Sequence, residues 1–254
     1  MQAALSIQAV TGIPIVDAGA DIASLIHAAI SDTGISMQNG DIVVVAQKIV
    51  SLAEGRLVRL DNVDVSAAAE ELAGETEKDP RLVELILRES LDVIRKKPGV
   101  IIVRHRLGFV GANAGIDQSN IDHGNGESAL LLPKDPDRSA QELRHVLMRA
   151  SNCQIGVIIS DSVNRPWRLG SVGTAIGSAG ITVLDDRRGQ ADLFGREMQL
   201  TVINRADAIA AAAVLVMGET AERTPVAIVR GFLAETSTQQ VRHCIRPVAE
   251  DLFL

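Results

Sequence analysis

The chain has 254 residues, 25 basic against 32 acidic, for a net charge of −7, and is long enough to bury a core without disulfide or metal staples. Hydrophobic residues make up 46% and aromatic residues 2%, with one Trp and no Tyr, so the core is built from Ala, Val, Ile and Leu. That balance argues against a stacking platform for single strands and against an electrostatic nucleic-acid footprint. Two cysteines, Cys153 and Cys244, with no Cys-x-x-Cys pair, leave no disulfide framework and no thiolate zinc site, and fit a reducing compartment.

The first residues, Met1 to Leu5, carry no basic segment and no long apolar run, so a cytoplasmic protein without a signal peptide is expected. Ile22, Leu25, Ile26, Ala29 and Ile30 follow helical spacing along one stripe. Ile42-Val43-Val44-Val45 is a β-branched run without alternation, the pattern of a buried strand. Asp79-Pro80 offers an N-cap and a first-turn proline. Behind it Val83, Ile86, Leu87, Leu91 and Ile94 predict a helix reaching Lys96-Lys97, cations suited to the negative end of its dipole.

Val100 to Val103 and Gly156 to Ile159 read as further buried strands. Between them Ser139 and Glu142 form a capping box that would open a helix through Leu147. The stretch from Arg165 to Arg196 is dense in glycine. It is expected to belong to a smaller lobe over 161–216, with a long surface loop as the other reading. The main α/β lobe would then be 1–160, completed by 217–254. Ala206 to Met217 predicts the most buried helix, closed by Gly218, and Val226 to Val229 a last strand. The strongest uncharged apolar run, Ile209 to Met217, is too short to span a bilayer.

No P-loop, no Gly-x-Gly-x-x-Gly after a strand and no Gly-x-Ser-x-Gly elbow occurs. The five histidines are scattered, without a helical His-x-x-x-His pair. What remains is a set of acids at the ends of apolar segments: Asp117 in Asn113 to Asn120, Asp161 past one buried strand, and Glu219 past the buried helix. Acids at carboxyl ends of strands face the crevice where α/β sheets bind ligands. As hard oxygen donors they suit Mg²⁺ or Mn²⁺. An acid beyond the negative end of a helix is disfavoured unless a cation answers it, which sharpens the point for Glu219. Caps and turns are the plainer explanation of the same residues, and spacing alone does not make them converge. Gly12-Ile13-Pro14-Ile15 allows a close backbone approach or a simple turn. Lys48 could meet a phosphate or stay solvated. Arg165 and Arg168 could grip an anion, or stack beside Trp167 at a surface. Asp185-Asp186-Arg187-Arg188 reads as a solvated charge run.

Taken in order, these segments resemble the coenzyme F420:L-glutamate ligase family, also called F420-0:γ-glutamyl ligase. The resemblance runs from Gly12-Ile13-Pro14-Ile15 to about Gly231. It includes Gly40-Asp41, Gln47-Lys48-Ile49-Val50-Ser51, Ala53-Glu54-Gly55-Arg56 and Glu89-Ser90. After these come Asn113-Ala114-Gly115-Ile116-Asp117-Gln118-Ser119-Asn120, Leu131-Leu132-Pro133, Asp161-Ser162, and Arg165 with Arg168-Leu169-Gly170. Asp192 to Glu197 and Met217-Gly218-Glu219 complete it.

The resemblance implies GTP-dependent addition of L-glutamate to the lactyl-phosphate side chain of a deazaflavin coenzyme, F420-0. It implies a two-lobed α+β fold in an intertwined homodimer, with small molecules as partners and neither nucleic acid nor membrane. Asp117, Asp161, Ser162 and Glu219 would hold divalent cations, with K⁺ as a further cation. Gly12, Ile13, Pro14, Ile15, Gln47, Lys48, Asn120, Met217, Gly218, Glu219 and Thr220 would contact the nucleotide. Asp117, Asp161, Glu219, Arg165 and Arg168 would form the catalytic group, the arginines offsetting repulsion among anionic substrates. One position departs from the pattern: many relatives carry Lys where this chain has Leu52, so one nucleotide contact is lost, with Lys48 as a substitute or an altered preference as the result. The chain stops at Leu254 without the flavin-domain extension of some actinobacterial relatives, so a single activity is expected. A ligase of the same architecture acting on another carboxylate, and a non-catalytic nucleotide- or metal-binding relative, are the alternatives.

Overall fold

A computed structural model describes residues 4–164, 168–232 and 237–252. At its centre β-branched runs make a five-stranded sheet. In chain order its strands are β1 (Ser6–Val10), β2 (Ile42–Ala46), β8 (Gly156–Asn164), β9 (Ser171–Ala179) and β12 (Val226–Arg230), arranged β1-β12-β2-β8-β9. The remaining strands are β3 (Leu57–Arg59), β4 (Ser90–Lys97), β5 (Val100–His105), β6 (Val110–Ala112), β7 (Ser128–Leu130), β10 (Leu184–Asp186) and β11 (Val202–Asn204). The helices are α1 (Ile22–Asp32), α2 (Gln47–Ala53), α3 (Ala67–Thr76), α4 (Pro80–Arg88), α5 (Pro136–Ser151) and α6 (Arg205–Met217).

Ile42 to Val45 are fully buried because helices cover both faces of the sheet. Val43, Val45, Val157 and Ile159 point into a core shared with α1, α2 and α5. Their neighbours Ile42, Val44 and Ile158 point the other way, onto α6. The period-2 alternation of a strand thus feeds two cores from one uninterrupted apolar run. Strand β9 carries glycines where the helices come closest. A Cβ on Gly173 would lie 2.5 Å from the Ala210 carbonyl oxygen in α6. One on Gly177 would lie 2.3 Å from the backbone of Pro136 in α5. The two contacts fall on opposite faces because the register slips between them: Ile159 pairs with Gly177 and Ser160 with Ala175, leaving Ile176 as the extra residue of a bulge. Strand β8 runs unbroken through residue 160, where the sequence suggests a lobe boundary, and β9 returns into the same sheet.

A second module is built from residues 57–131. Strands β4-β5-β6 form an antiparallel sheet packed on α3 and α4, and the β3–β7 pair covers a smaller core around Leu60, Leu85 and Leu131. Here the helix expected to reach Lys97 stops at Arg88. The Glu89 N–H closes it onto Leu85 O, and residues 90–97 turn back as β4 beside β5. The hairpin turns at Pro98-Gly99, where Gly99 has φ +83°, and β4 gives β5 a second ladder partner. Asp92 reaches across the strands to Arg104 at 2.9 Å. Leu91, expected on the buried stripe, is exposed.

Helix α5 also begins earlier than the capping box suggests. Asp135 caps it by accepting from Arg138 N at 3.1 Å, and Pro136 takes the first position. Ser139 lies inside the helix and donates to Glu54 Oε1 at 2.6 Å. The charge run is only half solvated: Asp185, 14% exposed, pairs with Arg187 and Arg205, while Asp186 and Arg188 pair at the surface.

Candidate active site

Strand β1 is antiparallel to β12, β12 is antiparallel to β2, and β2 is parallel to β8. It follows that β1, β2 and β8 point the same way, and their carboxyl ends open onto one edge of the sheet. Each delivers part of a cleft of about 550 Å³. Past β1 the chain turns at Gly12, with φ +82°. Ile13 is then anchored in the core while Pro14 and Ile15 stay exposed beside the cleft. Past β2 come Gln47 and Lys48 in the first turn of α2; Gln47 is buried and accepts from Ser51 Oγ at 2.8 Å. In β8, Ser160 is the last residue paired with β2, and Asp161 and Ser162 continue beyond it into the cleft.

The fourth contribution comes from the second module. Asp117 is held by a two-way backbone bridge to Leu130, at 3.0 and 2.8 Å. Its carboxylate meets the Lys48 ammonium at 2.7 Å through Oδ2 and accepts from Ser119 N at 2.7 Å through Oδ1. Lys48 also donates to the Ser119 carbonyl at 2.7 Å. Asn120, with φ +51°, donates to Thr220 O at 3.0 Å and so ties this loop to the last one. That last loop follows Met217, where α6 ends at Gly218 with φ +76°. Its Glu219 accepts from Ser162 Oγ at 2.7 Å. Glu222 takes both the N–H and the hydroxyl of Thr220, at 2.7 and 2.9 Å, and Thr224 Oγ1 donates back to Met217 O at 2.6 Å.

The two inner carboxyls are driven apart in acidity. Burial raises that of Asp117, but bonds from Lys48 and Ser119 outweigh it and hold the group below its ordinary value. Asp161 is pushed up to about 7, first by burial and then by the charges of Asp117 and Glu219, with the Ser162 N–H and Lys48 opposing. Negative charge at Asp161 is therefore under-compensated, which is the electrostatic condition that favours a cation. The donors in reach are carboxylate and hydroxyl oxygens, the chemistry of Mg²⁺ and Mn²⁺. Among the described residues no three His, Cys, Asp or Glu side chains are gathered closely enough to hold a metal ion. Asp117, Asp161 and Glu219 share the cleft, while Lys48 occupies Asp117 and Ser162 occupies Glu219.

Thus Ile13, Pro14, Ile15, Gln47, Lys48 and Asn120 line one cleft with Asp117, Asp161, Ser162 and Met217 to Thr220. Gly12 and Arg168 do not line it and are exposed. Arg165 lies outside the described residues, as does Trp167. Leu52 lines the cleft one helical turn after Lys48. Sequence reasoning gives no role to Ser119, which holds both Lys48 and Asp117, or to Glu222, which orders Thr220; their only local signal is a polar residue two positions from a proposed ligand or contact. It also leaves Glu89 without a role. Burial acts first on this carboxyl and raises it, but the neighbouring His105, Arg106 and Arg56 side chains bring it down to about 2.

A sequence model of F420-0:gamma-glutamyl ligase matches residues 11–231. The coenzyme F420:L-glutamate ligase of Methanothermobacter thermautotrophicus is 46% identical over 251 residues, covering 98% of each chain. Proteins of the same name from Methanopyrus kandleri and Methanocaldococcus jannaschii are 44% and 43% identical, covering 92% and 85% of this chain and 92% and 86% of their own. A match of that extent leaves one conclusion: the chain belongs to the F420-0:γ-glutamyl ligase family.

Proposed function

We propose that this protein joins the carboxylate of F420-0 to the amine of L-glutamate at the expense of GTP. The observation that carries the reading is the single cleft into which four distant stretches send Lys48, Asp117, Asp161 and Glu219. A carboxylate and an amine do not condense at neutral pH without activation. In the first step a carboxylate oxygen of the coenzyme attacks the γ-phosphorus of GTP; an O–P bond forms and the bond to GDP breaks. In the second the glutamate nitrogen attacks the acyl carbon; a C–N bond forms, the C–O bond to phosphate breaks and the amine loses a proton to solvent. The nucleotide lies against Ile13 to Ile15, which the Gly12 turn presents, and against Gln47, Asn120 and Met217 to Thr220. Lys48 is positioned to turn from Asp117 to a phosphate oxygen. Asp117, Asp161, Ser162 and Glu219 would hold Mg²⁺ or Mn²⁺, which would supply charge neutralisation at the transferring phosphoryl group.

We infer a homodimer from the arm between β10 and β11. Leu193, Phe194 and Leu200 are each about 90% exposed on it, an arrangement a second copy would cover. A cytoplasmic setting fits the small-molecule substrates; no described helix is long and apolar enough to cross a membrane.

The test is incubation with F420-0, GTP, Mn²⁺ and L-glutamate, read by mass spectrometry. The wild-type chain gains one or more glutamyl units on the coenzyme. Asp161→Asn lowers the rate by at least about 100-fold with an unchanged circular dichroism spectrum. No glutamyl product from the wild type refutes the activity; a variant near wild-type rate refutes the role of Asp161.

A further inference from the structure

We propose that a second cavity, of about 430 Å³ and lined in part by β8 and β9 next to the nucleotide cleft, seats the acceptor coenzyme. This rests on the activity proposed above, which needs an acceptor beside the nucleotide and leaves its place open. The two cavities share no residue, yet they adjoin. Asp161 lines the first and Thr174 the second, and these two are directly paired across β8 and β9. Side chains so paired have Cβ atoms about 5 Å apart. Val163, two residues beyond Asp161 on β8, also lines the second cavity. A ligand held there can present its acidic end to the phosphates without leaving its seat.

The lining suits a flat body with an anionic tail. Leu107, Phe109, Val110, Val163, Ile176 and Ile245 form apolar walls. Phe109 is fixed in place by stacking on buried His105, with centroids 4.8 Å apart and planes within 5°. The Cβ that Gly108 lacks would meet Ile245 at 3.3 Å, so the β5–β6 turn and the 241–245 segment close on each other. Lys134 and Arg242 bring two cations to the same cavity, beside the Arg106 guanidinium that already pairs with Glu89. Two of its acids are turned to the backbone instead: Asp137 accepts from Ser178 N and Val241 N at 2.9 and 3.0 Å, and Asp207 from Ala175 N at 2.9 Å. A third, Asp135, caps α5. Glutamate, small and charged at both ends, has no use for six apolar walls; a deazaflavin with a lactyl-phosphate side chain uses both walls and cations.

Lys134→Glu and Arg242→Glu change exposed residues, and Val110→Trp fills the cavity from a wall residue that is 43% exposed. Steady-state kinetics and fluorescence titration with F420-0 read the outcome. Each variant raises the KM and Kd for F420-0 by about tenfold or more, while the KM values for GTP and glutamate and the melting temperature stay at wild-type values. Unchanged F420-0 affinity in all three overturns the assignment, and so does a rise confined to the glutamate KM. A wild-type chain that binds F420-0 nowhere and adds no glutamate refutes the activity itself, and the seat with it, an outcome distinct from active variants with normal affinity.

Discussion

Replacing Glu89 with Gln tests the junction between the two modules. The carboxylate is 11% exposed and receives Arg56 at 2.9 Å, Arg106 at 2.9 Å and His105 Nε2 at 3.5 Å. Its pKa falls from 4.5 to about 2 on folding, and a shift of that size corresponds to roughly 3 kcal/mol at neutral pH. Because the folded value is the lower one, this contribution is present above pH ~4.5 and drains away as the pH falls towards ~2. Glutamine also strands the 12%-exposed Arg56 guanidinium. Breaking a buried pair on one side costs about 3–5 kcal/mol. Urea unfolding at a series of pH values checks both numbers. Wild-type stability drops by roughly 3 kcal/mol more than that of Glu89→Gln between pH ~5.5 and ~2.5. At pH 7 the variant is less stable by at least about 3 kcal/mol. The consequence reaches the cleft through the backbone. Arg56 donates to Leu132 O at 2.8 Å and accepts from Leu131 N at 3.2 Å, and the neighbouring Leu130 bridges Asp117. Turnover at 25 °C therefore falls as well, with folded protein still in excess. A variant within about 1 kcal/mol of wild type at pH 7, with the same acid slope, refutes the reasoning.

Gly177→Ala places a Cβ 2.3 Å from the Pro136 backbone, so α5 must shift. Denaturant midpoints should report a loss of about 2–3 kcal/mol, whereas Gly189→Ala, strained at φ +81° but facing open space, costs only about 1 kcal/mol. Leu193→Glu with Phe194→Glu leaves the fold intact and converts the proposed dimer to a monomer in analytical ultracentrifugation, since both side chains are 91% exposed in the single chain; a dimer that survives the pair places the interface elsewhere, and a monomeric wild type refutes the proposed dimer.

The elements legible in the sequence are those whose period is decided by burial. Ile42 to Val45 and Gly156 to Ile159 are apolar without interruption because both faces are covered, and α1 shows its stripe because only one face is. The α4–β4 boundary misleads for the opposite reason. Leu91 and Ile94 fall at helical spacing from Leu87 by coincidence, and neither is buried; the decisive partner, β5, lies beyond the Pro98-Gly99 turn. Cleft residues after β1, β2 and α6, and in the polar end of β8 beyond Ile159, are readable as polar punctuation behind apolar runs. What places them together is not local. It resides in the parallel pairing of β2 with β8, and in the Asp117–Leu130 bridge that brings a second module to the sheet edge.

That division of labour bears on the charge problem of the cleft. Asp161 comes from β8 just past its last pairing with β2 and Asp117 from a loop of the second module, and their carboxyls are answered unequally. Lys48 neutralises Asp117, while Asp161 is left near 7 by burial and by its acidic neighbours. A site meant only to hold its own loops together would satisfy both acids, since an uncompensated buried carboxylate costs stability and returns nothing to the fold. Keeping Asp161 poorly answered, beside the Lys48 ammonium and a glutamate that, among the described residues, is held by the Ser162 hydroxyl, leaves room for positive charge from outside. The cost to the resting protein is then repaid when cationic and anionic ligands enter together. On this argument Asp161→Asn stabilises the empty protein in thermal melts while abolishing turnover. A melting temperature lowered along with the rate would show Asp161 to be a structural group, and the unequal acidity an incidental feature of its burial.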